Sequence, residues 1–374
     1  MSMEESEGRF LAKKVQSLSD IELAILLCLV VDQHCILQAE EDVISGLEAE
    51  LHIVASEVFG LTCQSLECSN STTLDDFGSG ILVKDDGSDY FSSKNGKLRE
   101  ERFFSSSETP RVSDKRTSKS PRPFSPLDSR RIANVVIAKN LNTASAQVQT
   151  QALELIRGKR NFTRTAVHAA PKPFLFIALN LTGSPRLTTH LNDHFFISHS
   201  HRAEDGLPNL EELNHKDSIS DDDASTSSVV RSTPRAPEDR KMSSVVFTQD
   251  EITKLTALTA EVRISTDVRA YLHNIVVFMR LHRAVRGGIS AMATRHFDAL
   301  SHALAPLHAL NYVSPSLVAL AARKVYPHRI KITSPEDERS MQWGSSLDAV
   351  KSILDGVTAE DVIEEVLQSV EVPL

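Results

Sequence analysis

Four histidines crowd the segment HLNDHFFISHSH, at His190, His194, His199 and His201, with Asp193 among them. Imidazole nitrogens and a carboxylate are ligand types for zinc and its neighbours, and His199 and His201 would share one face of a strand. Other histidines are scattered along the chain, so local crowding alone is a limited signal. Gly78 and Gly80 in DDFGSG invite a phosphate-loop reading, but no Lys-Ser or Lys-Thr follows, and a turn is the expected structure. No GxxxxGK[ST] occurs anywhere in the chain. Cys28, Cys35, Cys63 and Cys68 lack a C-x-x-C spacing and read as small buried thiols. Ser-Pro and Thr-Pro steps at Thr109, Ser120, Ser125 and Thr233 are sites where phosphorylation would add charge.

The elements that would position these groups begin with SLSDIELAILLCLVV, a helix with Ser19 or Asp20 as N-cap. A buried strand at 35–37, an amphipathic helix stopped at Gly60 and a strand in LTCQSLEC follow. Helix, strand, helix, strand is how a parallel α/β sheet begins. Between 84 and 130 the apolar periodicity gives way to Ser, Lys, Arg, Asp and Pro, the composition of a disordered insertion. ANVVIAKNL then reads as a buried strand, 144–156 as a helix, KRNFTRTAV as a hairpin and PFLFIAL as another buried strand. A second polar stretch, acidic at its start, spans 203–241. Beyond it four segments carry helical periodicity, punctuated by Gly287, Gly288, Pro306 and Pro327, and a last helix starts at Thr358 with capping-box spacing to Asp361.

The 374 residues are 41% hydrophobic and 24% charged, enough apolar material for about two domains. The net charge of -9 disfavours general nucleic-acid binding, which needs surplus Lys and Arg on the phosphates. That charge is concentrated: residues 1–83 hold three Lys or Arg against fifteen Asp or Glu, leaving the rest slightly basic. The acidic start MSMEESEGRF lacks the pattern of a secretory signal, and the apolar run 23–31 is too short for a bilayer. An intracellular, most simply cytoplasmic, protein is expected.

In order and content these pieces resemble an AAA+ ATPase core followed by its helical lid, and more narrowly the magnesium-chelatase ATPase subunit and the MoxR branch. VVIAKNLNTASAQVQTQALELI reproduces the register of the family's catalytic strand and following helix through Gln149, Leu153 and Glu154. PFLFIAL stands for the next strand, and LNDHFF occupies the Leu-x-Asp-Arg-Phe box. FTQDEITKLTALTAEVRIS, DVRAYLHNIVVFMRLHRAV and NYVSPSLVALAARKVYPHRI are similar to the lid helices, including the Tyr-Val-x-Pro start and the closing His-Arg. The long polar insertions resemble those of fungal chelatase-like proteins. The family runs its strand through the histidine-rich stretch without a metal, so no metal site is expected.

The resemblance implies ATP chemistry that the residues do not supply. The phosphate loop belongs between 37 and the helix ending at Gly60, where QAEEDVISG puts Glu40, Glu41 and Asp42 in place of glycines and a lysine. Lys139 and Asn140 stand where an Asp would hold magnesium and a Glu would polarise water. His194 stands for the arginine finger. Asn180 lies within a residue of the sensor Asn, and Arg295 one helical turn beyond Met292, where the lid sensor Arg would align; these two are the candidates for contact with nucleotide.

The expectation is therefore an α/β core of the P-loop NTPase type over 1–202, with a disordered insertion at 84–130, an acidic disordered linker over 203–243 and an all-helical lid over 244–374. Its function reads as a degenerate AAA+ scaffold or regulatory subunit, with no cofactor and with protein partners, as a homo- or hetero-oligomeric ring. No nucleic acid or membrane partner is expected. The alternative is an ATPase subunit, using ATP and magnesium, of a chelatase-like machine. The basic strips RLHRAVRGG and ARKVYPHRI read as solvated faces or as surfaces for an acidic neighbouring core.

Overall fold

In a computed structural model, residues 10–84, 130–164, 166–213 and 245–373 are described. Five parallel strands form the central sheet in the order β2-β5-β8-β1-β9: β1 Cys35–Ala39, β2 Cys63–Glu67, β5 Val135–Lys139, β8 Leu175–Leu181 and β9 Ile197–His201. Buried on both faces, β5 and β8 read as continuous apolar runs, as strands in the middle of a parallel sheet must. Helix α1 (Asp20–Val31) is capped by Ser19, whose hydroxyl accepts from the Glu22 N–H while Glu22 accepts from the Ser19 N–H. It is apolar around its whole circumference because it is covered on all sides.

Residue parity sorts the sheet's two faces. Leu37, Ile137, Ile177 and Leu179 join α1, helix α2 (Ile44–Ile53) and the C-terminal helices in one apolar cluster. Ile36, Val136, Phe176 and Ala178 pack with α3 (Leu74–Gly80) and α4 (Ala146–Gly158) in another. DDFGSG is thus the helix α3 and not a turn. Thr73 and Asp76 cap it reciprocally, and buried Phe77 anchors it. Cys28, Cys35 and Cys68 are buried thiols and Cys63 is half-buried, with burial pushing Cys63 and Cys68 up to about 12.

The first polar stretch begins and ends in a two-stranded ribbon, β3 (Leu82–Lys84) against β4 (Arg130–Ile132), which brings Lys84 opposite Arg130. The disorder expected between them falls on 85–129, outside the described residues. The expected hairpin is β6 (Arg160–Phe162) with β7 (Val167–Ala169). The linker expected to be disordered from 203 departs from that reading: Ala203–Asp205 is a 3-10 turn and 208–213 is helical. Fully buried Glu50 of α2 holds this segment, accepting from the backbone N–H groups of Asn209 and Leu210 and from the Asn209 amide. The rest of that linker lies outside the described residues.

Helix α5 (Thr189–His194) belongs to the core; the C-terminal unit comprises α6 (Gln249–Glu261), α7 (Thr266–Leu281), β10 (Val285–Gly287), α8 (Ala291–Leu307), α9 (Pro315–Val325), β11 (Lys331–Ile332), α10 (Leu347–Leu354) and α11 (Ala359–Ser369). Helices α6 and α8 pack directly on α1, so the helical unit shares its apolar core with one sheet face. Helix α10 has no counterpart in the sequence reading. Gly288 marks the tightest approach in this region. Its φ is 104°, and a Cβ there would lie 1.9 Å from the Arg329 carbonyl oxygen. Gly288→Ala is therefore expected to lower stability by about 2–4 kcal/mol, measurable by urea unfolding, because backbone must move on both sides of the contact.

Candidate functional site

The place where a phosphate loop would stand is built from the end of β1 and the start of α2. Four residues, Glu40 to Val43, join them. This turn satisfies itself: the N–H groups of Val43 and Ile44 both donate to the Glu40 carbonyl, at 3.2 and 3.0 Å. Those N–H groups would otherwise be available to an anion at the helix start. Glu40, Glu41 and Asp42 are exposed around the turn, presenting like charge to any phosphate. On the next turn of α2, Gly46 faces Leu207 from the ordered segment after β9, and a Cβ would meet the leucine methyl at 2.7 Å.

Lys139, the last residue of β5, lies on the same sheet face as α2. Its ammonium is 3.3 Å from the Glu48 carboxylate of α2, and both side chains are largely covered. Where a magnesium–nucleotide site would need a carboxylate on the strand for the metal and a lysine near the helix start for the phosphates, this chain has a lysine on the strand paired with a carboxylate on the helix. Asn140 is a turn residue with φ 54°; its N–H donates to the Leu179 carbonyl at 2.7 Å, and its carbonyl accepts from Thr143. Asparagine tolerates that left-handed conformation at low cost.

The remaining predicted residues lie apart from this cleft. Asn180 points to the other face of the sheet, into a cavity of about 320 Å³ shared with Gln38, Arg186 and His328, and its buried carbonyl oxygen has no hydrogen-bond partner among the described residues. His194 and Arg295 meet in a cavity of about 470 Å³ with His34 and Lys159, at the end of the sheet where β1 begins. A strand the length of β1 puts them on the order of 15 Å from the level of Lys139. His190 and His194 lie on α5, whereas His199 and His201 lie on β9 beside Asp205, so the four histidines form two separate groups.

Residues 277–349 match the family model of the AAA lid domain. Across 99% of this chain and 96% of the other, the structure is similar to the crystal structure of a candidate ATPase from Cytophaga hutchinsonii, with a TM-score of 0.61 and 12% sequence identity. The fold is that of an AAA+ ATPase. A curated relative, maintenance of telomere capping protein 2 of Lachancea thermotolerans, is 27% identical over 116 residues. That match spans 30% of this chain and 41% of the relative's length.

In this AAA+ chain one buried side chain lies at the centre of the joint between lid and core. Arg329, 2% exposed, reaches from the end of the lid into the LNDHFF box. Its guanidinium donates to the carbonyls of Phe196 at 3.2 Å and Asp193 at 3.3 Å, and to those of Phe195 and Val325. It also donates to His296 Nδ1 at 2.6 Å, while Asp193 lies 3.5 Å from its Nε as counter-charge. Burial holds Arg329 down to about 10, against the pull of Asp193. Around it, Asn192 donates to the His328 carbonyl, His328 Nε2 donates to the Phe195 carbonyl, and Arg186 donates to the Ile330 carbonyl. Neither Glu48 nor Arg329 was singled out from sequence. The signals that could have found them are an acidic residue one turn into the loop helix and the closing His-Arg of the lid.

Several arginines of the lid's basic strips pair within the lid, whereas Lys324 and Arg329 face the core. Arg283 and Arg286 meet Glu338 and Asp337, at 3.6 and 3.1 Å, and Arg323 meets Glu364 through two bonds of 2.5 and 2.9 Å. Burial, then Arg329, pushes His296 down to about 3; burial chiefly lowers His34 and His328 as well. Folding therefore keeps these rings neutral, while the unfolded chain takes up protons near 6.5. The native state then binds fewer protons, so stability is complete above about 6.5 and falls as pH drops toward the folded values, by at most about 1.4 kcal/mol per pH unit per ring. Urea midpoints should fall between pH 7.5 and 5.5, above the range where the capping carboxylates Asp76 and Asp361 titrate, and His296→Gln should flatten that fall.

Proposed function

We propose that this AAA+ chain does not hydrolyse ATP and serves as a scaffold or regulatory subunit in a protein assembly, within the chelatase-like or MoxR-like branch. The observation that carries the reading is the Lys139–Glu48 pair at 3.3 Å, which sets a cation on the metal-ligand strand and a carboxylate on the phosphate helix. Magnesium would meet an ammonium instead of an anionic ligand, and the β- and γ-phosphates would meet Glu48 with Glu40 and Glu41 beside it. The self-bonded turn removes the backbone donors as well. Three separate losses converge on one site, which favours a lineage that kept the shape after the chemistry.

Scaffolding suits a lid that shares its core with the sheet and is held by a buried arginine. Swinging such a lid would expose apolar surface and strand a charge. The telomere-capping relative supports a role in an assembly, although the match reaches under half of that protein. The reading includes protein partners of the AAA+ class in a homo- or hetero-oligomeric ring, an arrangement the fold would suit; no helix among the described residues is long and apolar enough to cross a membrane.

Titrating the full chain with Mg-ATP in a calorimeter is expected to give no binding heat, and phosphate release should stay at the blank rate. Lys139→Ala should leave both results unchanged, while lowering stability by about 1 kcal/mol or less, since the pair is partly solvated. Turnover that disappears on substituting Lys139 or Glu40 would overturn the reading in favour of an active chelatase-type ATPase. The mass of the purified chain in solution separates a self-assembled ring from a subunit awaiting partners.

A further inference from the structure

His199 and His201 project from the edge strand β9 on the face shared with Leu37 and Ala39. Their rings lie 6.2 Å apart, and the residues are 7% and 3% exposed. Of their four ring nitrogens, three have no hydrogen-bond partner among the described residues: His199 Nε2, His201 Nδ1 and His201 Nε2. The fourth, His199 Nδ1, is 3.5 Å from the Lys324 ammonium of α9, the outer limit for a hydrogen bond. Buried imidazoles normally satisfy their ring nitrogens, so two neighbours that do not are an anomaly in the core.

The 3-10 turn after β9 carries Asp205 back toward the same point. Its carboxylate oxygen is 3.9 Å from His201 Nδ1, too long for a hydrogen bond; the same oxygen accepts from the Arg202 backbone N–H at 2.8 Å, and the side chain is 41% exposed. One ligand atom from each of His199, His201 and Asp205 lies within 4.8 Å of the others. Zinc ligands at about 2.0–2.2 Å from the metal sit roughly 3.4 Å from one another, so a bound metal would draw the two imidazoles and the carboxylate together, with Asp205 exchanging its bond to the Arg202 N–H for the metal.

We propose that His199, His201 and Asp205 form a binding site for a zinc-like divalent cation, completed by water. Two imidazoles and one carboxylate suit zinc or cobalt and disfavour magnesium and calcium, which take oxygen ligands. The charged groups acting on His199 are Lys324, the strongest of them, opposed by the carboxylates of Asp20 and Asp205, with His201 on the side of Lys324. Lys324 occupies the position of competing cation, and a bound metal turns it outward to solvent. The site lies where β9 passes into the segment that lays Leu207 over Gly46 and joins Asn209 to Glu50. Metal would thereby pin the cover of the former nucleotide cleft, and this role stands whether or not the chain turns over ATP.

The test is cobalt titration of chelator-treated full-length protein, followed by the visible d–d absorption of low-coordinate cobalt and by displacement with zinc. One equivalent of cobalt with that absorption is expected. Asp205→Asn should weaken binding at least tenfold, His201→Ala should abolish it, and His190→Ala, on α5, should leave it unchanged. Lys324→Met should tighten it, a change that a purely packed histidine pair would not produce. Absence of the absorption, or binding that persists undiminished in Asp205→Asn and His201→Ala, would overturn the site. Should His201→Ala fail to fold, Asp205→Asn decides the question, because it alters a half-exposed side chain without changing its size.

Discussion

A cation without access to water holds this molecule together. The Arg329 guanidinium is committed to carbonyls of the core box and of the preceding helix α9, with His296 as a neutral acceptor and Asp193 as the nearby carboxylate. Burying a charge in this way is stabilising only when its donors are met, and removing a partner leaves an uncompensated cation. Many neighbouring features follow from that demand. Gly288 lacks a side chain because the Arg329 carbonyl lies against it, and His296 must stay neutral to accept from the guanidinium. Asn192, His328 and Arg186 tie the adjoining carbonyls across the same joint.

The cleft at the other end of the sheet is lined by groups that satisfy one another. Glu40 accepts from the first free N–H groups of α2, Glu48 takes Lys139, and Glu50 caps the segment that crosses above. The acidic excess of the first 83 residues thus has a partly internal use. Two of its carboxylates, Glu48 and Glu50, are structural acceptors around this cleft, and Glu22 joins Glu50 on the Asn209 amide.

Much of the fold was readable because it is written in local signals. Ser19 with Glu22, Thr248 with Glu251 and Thr358 with Asp361 cap their helices as their spacing indicates, and the apolar runs of β5 and β8 announce central parallel strands. The missing phosphate-loop pattern was equally plain. What escaped depends on pairs far apart in the chain. Lys139 and Glu48 are 91 residues apart, and Gly288 and Arg329 are joined through backbone alone. DDFGSG looked like a turn because its glycines outweighed the Thr73–Asp76 box just before them. The segment after His201 looked unstructured because its composition is polar, and only Glu50 on another helix shows why it is ordered. Histidine spacing grouped four rings that helix and strand geometry divides in two.

The central claim, a nucleotide site closed by its own side chains, is tested most directly by amide hydrogen exchange over residues 40–48 with and without millimolar Mg-ATP. Identical protection in the two conditions is predicted, since the N–H groups of Val43 and Ile44 already donate to Glu40. Protection that rises in that segment when ATP is added would contradict it.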